Sequence, residues 1–307
     1  GLKVIDISNP SSPIEIIAVT TPIQEGGWTG PITTRVHNNK LYCVGYPYFH
    51  IFDIDNLHDP QLEGYLHRDG YSPRPACTFD NYVFIADLEY GWIIIDVSDA
   101  SQPLVIDSNL FPNSTYYHVQ NENTLFALNN EYENLEIFDL SNPPNFQLAT
   151  IHEFESELYI TKGIAIYENF IYVLFDSGGE AEIEIIDISN IYEPSYVSTI
   201  VLNNENIKNS EKVPIIVNKE HLILANQVYN LDHYENYSEI YIYNIKDKDS
   251  PYLAGKTICP AWLITSLHIM DQHLIAVCDG IVDPDYMGNG FVIYNIPEID
   301  ADNFNLI

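Results

Sequence analysis

Three aspartates and an asparagine close together form the first candidate for chemistry. The segment DGIVDPDYMGNG carries Asp279, Asp283, Asp285 and Asn289, with glycines between them. Calcium prefers several oxygen ligands on a flexible loop, so these four residues are a candidate calcium site. Their spacing differs from that of an EF-hand, and an ordinary solvated acidic turn is the alternative. No other cofactor is required by any motif.

Residue patterns typical of enzymes are missing from the chain. Its ten histidines show no HExxH or HxH spacing, and no GxSxG, P-loop or GxGxxG segment occurs. The sequence therefore predicts a protein that is not an enzyme. A Ser-His-Asp set stays open as an alternative, because such triads are defined by geometry rather than by chain order.

One carboxylate position recurs along the whole chain, at the end of an apolar strand and before a turn that usually holds proline. The segments read LKVIDISNPSSP, FHIFDIDNLHDP, WIIIDVSDASQP, LEIFDLSNPP, IEIIDISNIYEP, IYIYNIKDKDSP and FVIYNIPEID. The seven anchor residues are Asp6, Asp53, Asp96, Asp139, Asp187, Asn244 and Asn295. A short side-chain oxygen here can accept hydrogen bonds from the N–H groups of the turn, and asparagine can replace aspartate in that role. We therefore interpret the anchors as structural.

The anchors fall 43 to 57 residues apart, which fits four short strands and their turns. A second apolar strand with a turn-forming start precedes six anchors, as in DNYVFIADL. Each repeat is therefore interpreted as strand a, strand b, anchor strand c and outer strand d. The predicted repeats cover a half repeat at 1–24 and full repeats at about 25–70, 71–113, 114–156, 157–204, 205–257 and 258–307.

Successive residues along the c strands are apolar, as in Ile93, Ile94 and Ile95, so the side chains on both faces of the strand are apolar. A sheet that is apolar on both faces must lie between other sheets, and a radial array of similar sheets provides this. We therefore predict an all-β fold, a single β-propeller domain over 1–307 with four-stranded blades. Seven blade positions with an incomplete first blade are favoured, and its missing strands mark the place for a partner strand. Six complete blades plus a half blade are the alternative.

The strands LKVID, WIIID and IEIID, each followed by a turn of the SNPxxP type, resemble the LVIVD repeat. The resemblance extends over nearly the whole chain, and it is weaker at the last two anchors. It implies a bacterial or archaeal β-propeller, secreted or displayed at the cell surface. It carries over no catalytic residue.

In such a propeller the d–a and b–c loops open on one face, where binding loops are expected. The d–a loops would place six aromatic rings at the mouth of the channel: Trp28, Tyr71, Tyr116, Tyr117, Tyr159 and Trp262. Rings with nearby carboxylates can stack a sugar or hold a cationic group. The alternative is that these rings simply pack the channel entrance.

The net charge of the chain limits which kinds of partner it is expected to bind. Acidic residues outnumber basic ones 44 to 12, giving a net charge of −32 that disfavours nucleic acid and anionic membrane surfaces. No apolar run is long enough to span a bilayer.

Asn113 and Asn236 lie in N-glycosylation sequons. The cysteines Cys43, Cys77, Cys259 and Cys278 are expected to be buried thiols, with a Cys259–Cys278 disulfide left open.

These observations favour a non-enzymatic extracellular or cell-surface module that binds a protein partner or a neighbouring subunit. One alternative is a carbohydrate-active or other hydrolytic propeller with carboxylates around its channel. Another is a subunit of a surface layer, filament or adhesin.

Overall fold

A computed structural model describes residues 2–19, 31–45, 47–67, 73–87, 91–107, 117–129, 134–155, 160–176, 181–202, 213–230, 235–283, 286–295 and 305–306. The chain divides into two compact units, Gly1–Ile151 and His152–Ile307. No helix in the described ranges has the length and apolar character needed to cross a membrane.

Unit 1 contains a two-stranded half sheet followed by three four-stranded antiparallel sheets. The half sheet pairs β1 (Leu2–Asp6) with β2 (Ile14–Val19). Sheet 1 consists of β3 (Pro31–His37), β4 (Lys40–Gly45), β5 (Tyr48–Asp53) and β6 (Gln61–His67). Sheet 2 consists of β7 (Pro73–Phe79), β8 (Tyr82–Asp87), β9 (Gly91–Asp96) and β10 (Leu104–Asp107). Sheet 3 consists of β11 (His118–Asn121), β12 (Thr124–Asn129), β13 (Asn134–Asp139) and β14 (Gln147–Glu153), and the unit boundary falls inside β14.

Unit 2 contains three further four-stranded sheets in the same order a, b, c and d. Sheet 4 consists of β15 (Ile160–Tyr167), β16 (Phe170–Asp176), β17 (Ala181–Asp187) and β18 (Ser195–Leu202). Sheet 5 consists of β19 (Ile215–Asn218), β20 (His221–Asn230), β21 (Glu235–Asn244) and β22 (Tyr252–Cys259). Sheet 6 consists of β23 (Ala261–Met270), β24 (His273–Asp283), β25 (Tyr286–Asn295) and β26 (Asn305–Leu306).

Tight turns join strands a and b, and polar residues occupy them. Asn39, Asp80, Glu122, Glu168 and Lys219 adopt left-handed backbone angles, with φ between 45° and 57°. Side chains without β-branching tolerate this region better than branched ones, in keeping with the Asn, Asp, Glu and Lys residues found in these turns. A recurring hydrogen bond ties strand c to the same turn, such as Val97 N–H to the Asn81 carbonyl at 2.9 Å.

The c strands of sheets 1 to 5 are buried on both faces. In β9, Ile93 and Ile95 pack against sheet 1, whereas Trp92 and Ile94 pack against sheet 3. In unit 2, Ile240 and Ile242 of β21 likewise pack towards sheet 6, while Tyr241 and Tyr243 pack towards sheet 4. The prediction of sheets apolar on both faces is therefore confirmed, and with it the β-propeller fold class.

The pairing of strand c with strand d carries a bulge at the same place in five sheets. The register shifts between Ile51 and Phe52 in β5 and between Ile185 and Ile186 in β17, just before the anchor. Equivalent shifts occur in the half sheet and in sheets 2 and 5. A bulge leaves one extra residue on strand d and increases the local twist, which protects an edge strand from uncontrolled pairing.

Among the described residues the half sheet contains strands c and d, as both accounts of the blade number require. Leu2 and Val19 pack against Leu41, Cys43 and Phe52 of sheet 1. Its c strand is only partly buried, whereas every residue of β5 before the anchor is buried. The half sheet thus covers one face of sheet 1 and keeps part of its own apolar surface exposed.

Candidate functional site

The anchor side chains are engaged with the backbone of the following turn. Asp6 Oδ1 accepts a hydrogen bond from Ser8 N–H at 2.8 Å, and Asp187 Oδ1 accepts one from Ser189 N–H at 2.8 Å. The same bond occurs at Asp53, Asp96, Asp139 and Asn244. The hydrogen bond from the Ser8 N–H is the main cause that lowers the pKa of Asp6. For Asp187 the main cause of the lowered pKa is a hydrogen bond from the Ser189 hydroxyl, followed by the bond from the Ser189 N–H. Each of these aspartates therefore acts as a turn-forming residue.

The anchor of sheet 1 also takes part in an ion-pair network. Lys40 Nζ lies 2.7 Å from Asp53 Oδ2 and 2.6 Å from Glu63 Oε2. Glu63 is the extra residue of the bulge in β6, between the paired Leu62 and Gly64. The two hydrogen bonds raise the pKa of Lys40 and the bond from Lys40 lowers that of Asp53. This network fixes strands b, c and d at one end of the sheet.

The predicted calcium segment forms a hairpin rather than a loop. β24 continues to Asp283 and β25 begins at Tyr286, so only two residues separate the strands. Asp279 is exposed and pairs with Leu263. Asp285 and the side chains of Asp283 and Asn289 lie outside the described residues. Within the described residues no group of three or more His, Cys, Asp or Glu side chains is placed to hold a metal ion, and the calcium site stays a prediction.

Most of the predicted channel-mouth aromatics lie outside the described residues, namely Trp28, Tyr71, Tyr116 and Tyr159. Tyr117 is partly buried, and its carbonyl accepts a hydrogen bond from Leu128 N–H at 3.0 Å. Trp262 is 43% exposed at the start of β23. The aromatic ligand site therefore also stays a prediction.

The two predicted sequons lie at different places. Asn113 is outside the described residues. Asn236 is part of β21, where it pairs with Tyr229 of β20, and its side chain is not described.

Sequence reasoning missed a set of buried charged groups in unit 2. Glu184 in β17 is 1% exposed, and its carboxylate lies 3.7 Å from His152 Nε2. Lys162 Nζ in β15 lies 3.7 Å from Asp176 Oδ2, and both side chains are almost fully covered. Burying a charge is costly unless it is paired, so the contact between Lys162 and Asp176 offsets part of the desolvation cost of both groups. Neither carboxylate oxygen of Glu184 has a hydrogen-bond partner among the described residues. The only sequence signal was a charged residue interrupting an apolar strand.

The d strands carry the second feature that was missed, a concentration of exposed apolar side chains. Twelve of the nineteen large apolar residues that are exposed in the described part of the chain lie on d strands. They are Ile14, Leu62, Tyr65, Leu104, Ile106, Leu148, Ile151, Tyr196, Val201, Tyr252, Leu253 and Ile258. From sequence these residues resemble core positions, because apolar character alone does not tell which face of an edge strand is covered.

All four cysteines are free and buried in the structure. Burial raises the pKa of Cys43 and of Cys77 to about 12. Cys259 and Cys278 differ from them, because their sulfur atoms lie 3.9 Å apart.

Comparisons with known proteins agree with this architecture. The model of the LVIVD repeat matches residues 1–21, 79–109 and 160–200. These ranges contain the half sheet, most of sheet 2 and sheet 4. No curated protein matches the sequence.

Several solved structures share the fold at low identity. A putative 6-phosphogluconolactonase from Bacteroides uniformis matches with a TM-score of 0.70 at 11% identity, over 96% of this chain and 87% of that chain. A protein from Lactobacillus plantarum matches with a TM-score of 0.68 at 9% identity, over 90% of this chain and 83% of that chain. A hypothetical selenium-binding protein from Sulfolobus tokodaii matches with a TM-score of 0.57 at 14% identity, over 88% and 74% of the two chains. At these identities the likeness concerns the fold alone.

The repeated sheets, with their anchors, bulges and two buried faces, define a β-propeller. Within that class, the matched repeat and the strands LKVID, WIIID and IEIID show that the chain carries LVIVD repeats.

Proposed function

We propose that this protein is a non-enzymatic extracellular or cell-surface interaction module, whose d strands bind a protein partner. The observation that carries the proposal is the concentration of exposed apolar side chains on the d strands of the half sheet and of sheets 1 to 5. Single exposed apolar residues are ordinary, but a repeated clustering on edge strands is typical of an interaction surface.

Unit 2 offers the most detailed example. We define the d-strand surface as Tyr196 and Val201 of β18 with Tyr252, Leu253 and Ile258 of β22. Tyr252 and Ile258 are each 60% exposed. Covering one such side chain contributes about 1.5–3 kcal/mol, so a few of them support a stable contact. The strands behind them are rigidly packed, which limits the entropy lost on binding.

The charge of the chain indicates the chemistry of the partner. With a net charge of −32, this protein attracts basic surfaces and repels acidic ones at moderate ionic strength. Apolar contacts on the d strands would then provide affinity, while the surrounding acidic residues accelerate association. The proposed partner is therefore a protein with a basic surface around an apolar patch.

The carboxylates of the described residues support a role without catalysis. The aspartates at the anchors hold turn N–H groups, Asp176 faces the buried Lys162 ammonium, and Glu184 is enclosed in the sheet packing. The hydrolytic alternative needs two carboxyl groups about 5 to 9.5 Å apart across an open pocket. Assays with chromogenic glycosides, esters and a peptide substrate should give no turnover above buffer. Enzyme-like turnover that disappears when a loop carboxylate is replaced would refute the proposal.

A photo-cross-linking residue tests the surface directly. The full chain carries it in place of Ile258, or in place of the control Leu57, which is 47% exposed in a c–d turn. After irradiation with cell-surface proteins of the source organism, we expect a basic protein cross-linked to position 258 and absent from position 57. For that purified partner, Tyr252→Ser combined with Ile258→Ser should weaken binding about tenfold or more, and Leu57→Ser should not. Equal labelling at both positions, or unchanged affinity in the double variant, contradicts the assignment.

The half sheet favours a second candidate, a subunit that receives a strand from a neighbouring molecule or segment. In the six full sheets strand b pairs with strand c, and the described residues of the half sheet include c and d only. A supplied apolar strand beside β1 would bury residues that are half-exposed now. Addition of a peptide with the sequence of β12 and its turn, ENTLFALN, should then raise the thermal stability of the chain. A peptide of the same composition in scrambled order is the control, and equal effects of the two would count against this candidate.

A further inference from the structure

Two cysteines from different sheets meet inside unit 2. Cys259 ends β22, the d strand of sheet 5, and Cys278 lies in β24, the b strand of sheet 6. Their sulfur atoms are 3.9 Å apart and both side chains are fully buried, at 0% and 2% exposure. The two residues are 19 positions apart in the chain and belong to one apolar cluster with Ile240, Ala261 and Leu274.

The surroundings make the two thiols chemically unequal. The hydrogen bond between the two thiols, outweighing burial, lowers the pKa of Cys259, and the Tyr294 hydroxyl acts in the same direction. The same bond and burial raise the pKa of Cys278. The lowered pKa favours Cys259 over Cys278 as the attacking thiolate. Cys43 and Cys77, by contrast, have a pKa of about 12 and no neighbouring thiol among the described cysteines.

We propose that Cys259 and Cys278 are a redox modification site, at which a reversible disulfide links sheet 5 to sheet 6. The oxidant is a small-molecule disulfide such as oxidised glutathione, which reaches the thiols before sheets 5 and 6 have packed together during folding. The Cys259 thiolate attacks one sulfur of the oxidant and displaces the first small thiol, leaving a mixed disulfide. Cys278 then loses its proton and attacks the Cys259 sulfur, which releases the second small thiol. Two protein thiols are oxidised to one disulfide while one small disulfide is reduced to two thiols.

The geometry favours this pairing over any other. Closing the gap from 3.9 Å to the roughly 2.05 Å of a disulfide bond requires only a small movement of two side chains. The bond would close a short loop across a repeat boundary and so reduce the conformational entropy of the unfolded chain. It would also fix the end of β22, next to Ile258, whose carbonyl already accepts a hydrogen bond from Tyr294 at 3.5 Å. The inference does not depend on the proposed function, because it concerns only the thiols and their connection.

Refolding in a redox buffer makes both thiols accessible and tests the proposal. The full chain is refolded from urea in oxidised and reduced glutathione, the remaining thiols are alkylated after unfolding, and peptides are mapped without reduction. We expect one linked pair, Cys259 with Cys278, and full alkylation of Cys43 and Cys77, which serve as internal controls. The oxidised protein should have a Tm about 5 °C higher than the reduced one, and a reductant should remove the difference.

Variants separate the disulfide from general effects of the buffer. Cys278→Ser should lose both the linked peptide and the shift in Tm, and Cys77→Ser should keep both. If Cys278→Ser does not fold, Cys278→Ala replaces it, and the peptide map of the unmodified chain decides alone. Four free thiols after oxidative refolding, or a pair that includes Cys43 or Cys77, would overturn the proposal.

Discussion

At the scale of single residues, the carboxylate that recurs in most repeats accepts hydrogen bonds from the backbone of its own turn. The Asp187 carboxylate accepts hydrogen bonds from both the N–H and the hydroxyl of Ser189, at 2.8 and 2.6 Å. Asn244 occupies the equivalent place and accepts the Lys246 N–H at 3.0 Å. The requirement at this position is therefore an oxygen acceptor of the right length, and negative charge is secondary.

Substitution of Asp187 tests this requirement. Asp187→Ala removes the acceptor and should lower the free energy of unfolding by about 1 kcal/mol, since two turn donors lose a partner. Asp187→Asn keeps an oxygen in place and should stay close to the unmodified protein at neutral pH. Urea unfolding followed by circular dichroism measures both. An Asn variant as unstable as the Ala variant would show that charge, rather than hydrogen bonding, holds the turn.

Acid should weaken the same turns. The pKa values of Asp6, Asp53 and Asp187 are lowered in the folded protein, by the Ser8 N–H, by Lys40 and by Ser189 as the leading causes. A carboxyl with a lowered folded pKa contributes its full stability above the unfolded value near 3.8, and loses it as the pH falls through the folded value. The part of the stability that these three carboxylates contribute should therefore fall as the pH drops below about 5. Comparison of the unmodified chain with Asp187→Asn separates this loss from the relief of repulsion among the other acidic residues. Between pH 5 and pH 2.5 the free energy of unfolding from urea titration should decrease less for Asp187→Asn than for the unmodified chain. Equal decreases would contradict the contribution of this carboxyl.

At the scale of elements, the position after the c–d bulge contacts the next sheet. A Cβ atom on Gly64 of β6 would lie 1.9 Å from the carbonyl oxygen of Ala100, in the c–d turn of sheet 2. At the equivalent place in sheet 4, the Ser198 hydroxyl donates to the carbonyl of Lys248, in the c–d turn of sheet 5. In sheets 1 and 4 the bulge thus positions strand d against the c–d turn that the next anchor organises.

Gly64→Ala tests this close approach. The added methyl group meets backbone rather than a movable side chain, so sheets 1 and 2 must separate locally. We expect a loss of about 2–3 kcal/mol in the free energy of unfolding, measured by urea titration. Leu62→Ala, on the same strand and 40% exposed, is the matched control and should change stability by less than about 1 kcal/mol. A Gly64→Ala protein as stable as this control would show that the two elements are not tightly packed.

Much of this element structure could be predicted from the sequence, for physical reasons that differ between elements. The b and c strands are continuous apolar runs ended by turn-forming residues, so their positions and two-sided burial were predictable. The hairpin of β24 and β25 was wrongly predicted as a loop, because Gly280, Pro284 and Gly288 are typical turn-forming residues. Its pairing depends on neighbouring strands of the same sheet, which the local sequence does not reveal. The exposed face of the d strands and the buried Glu184 were not predictable, since both depend on which side of a strand another sheet covers.

At the scale of the whole molecule, charge and burial act in opposite directions. The sheets bury apolar surface on both faces, while 44 acidic and 12 basic residues give a net charge of −32. Mutual repulsion keeps such molecules apart in solution and at the same time destabilises the compact state. The same charge would favour association with the basic partner that we propose.

Salt should stabilise the folded chain. Raising NaCl from about 10 to about 150 mM shortens the screening length from about 30 to about 8 Å, which reduces repulsion among the acidic residues. The Tm measured by differential scanning calorimetry should therefore rise over this range. Sucrose at equal osmolarity is the control for effects unrelated to screening. A Tm that is constant in NaCl, or that rises equally in sucrose, would contradict the electrostatic explanation.

Hydrogen exchange measured residue by residue tests the central claim most directly, namely that b and c strands are enclosed on both faces while d strands form the exposed edge. In the full chain at neutral pH, amides of the b and c strands in all six full sheets should exchange slowest. Those of the d strands and of the half-exposed β1 should exchange faster. Protection as strong in the d strands and in β1 as in β5 and β9, or fast exchange throughout the b and c strands, would contradict the account.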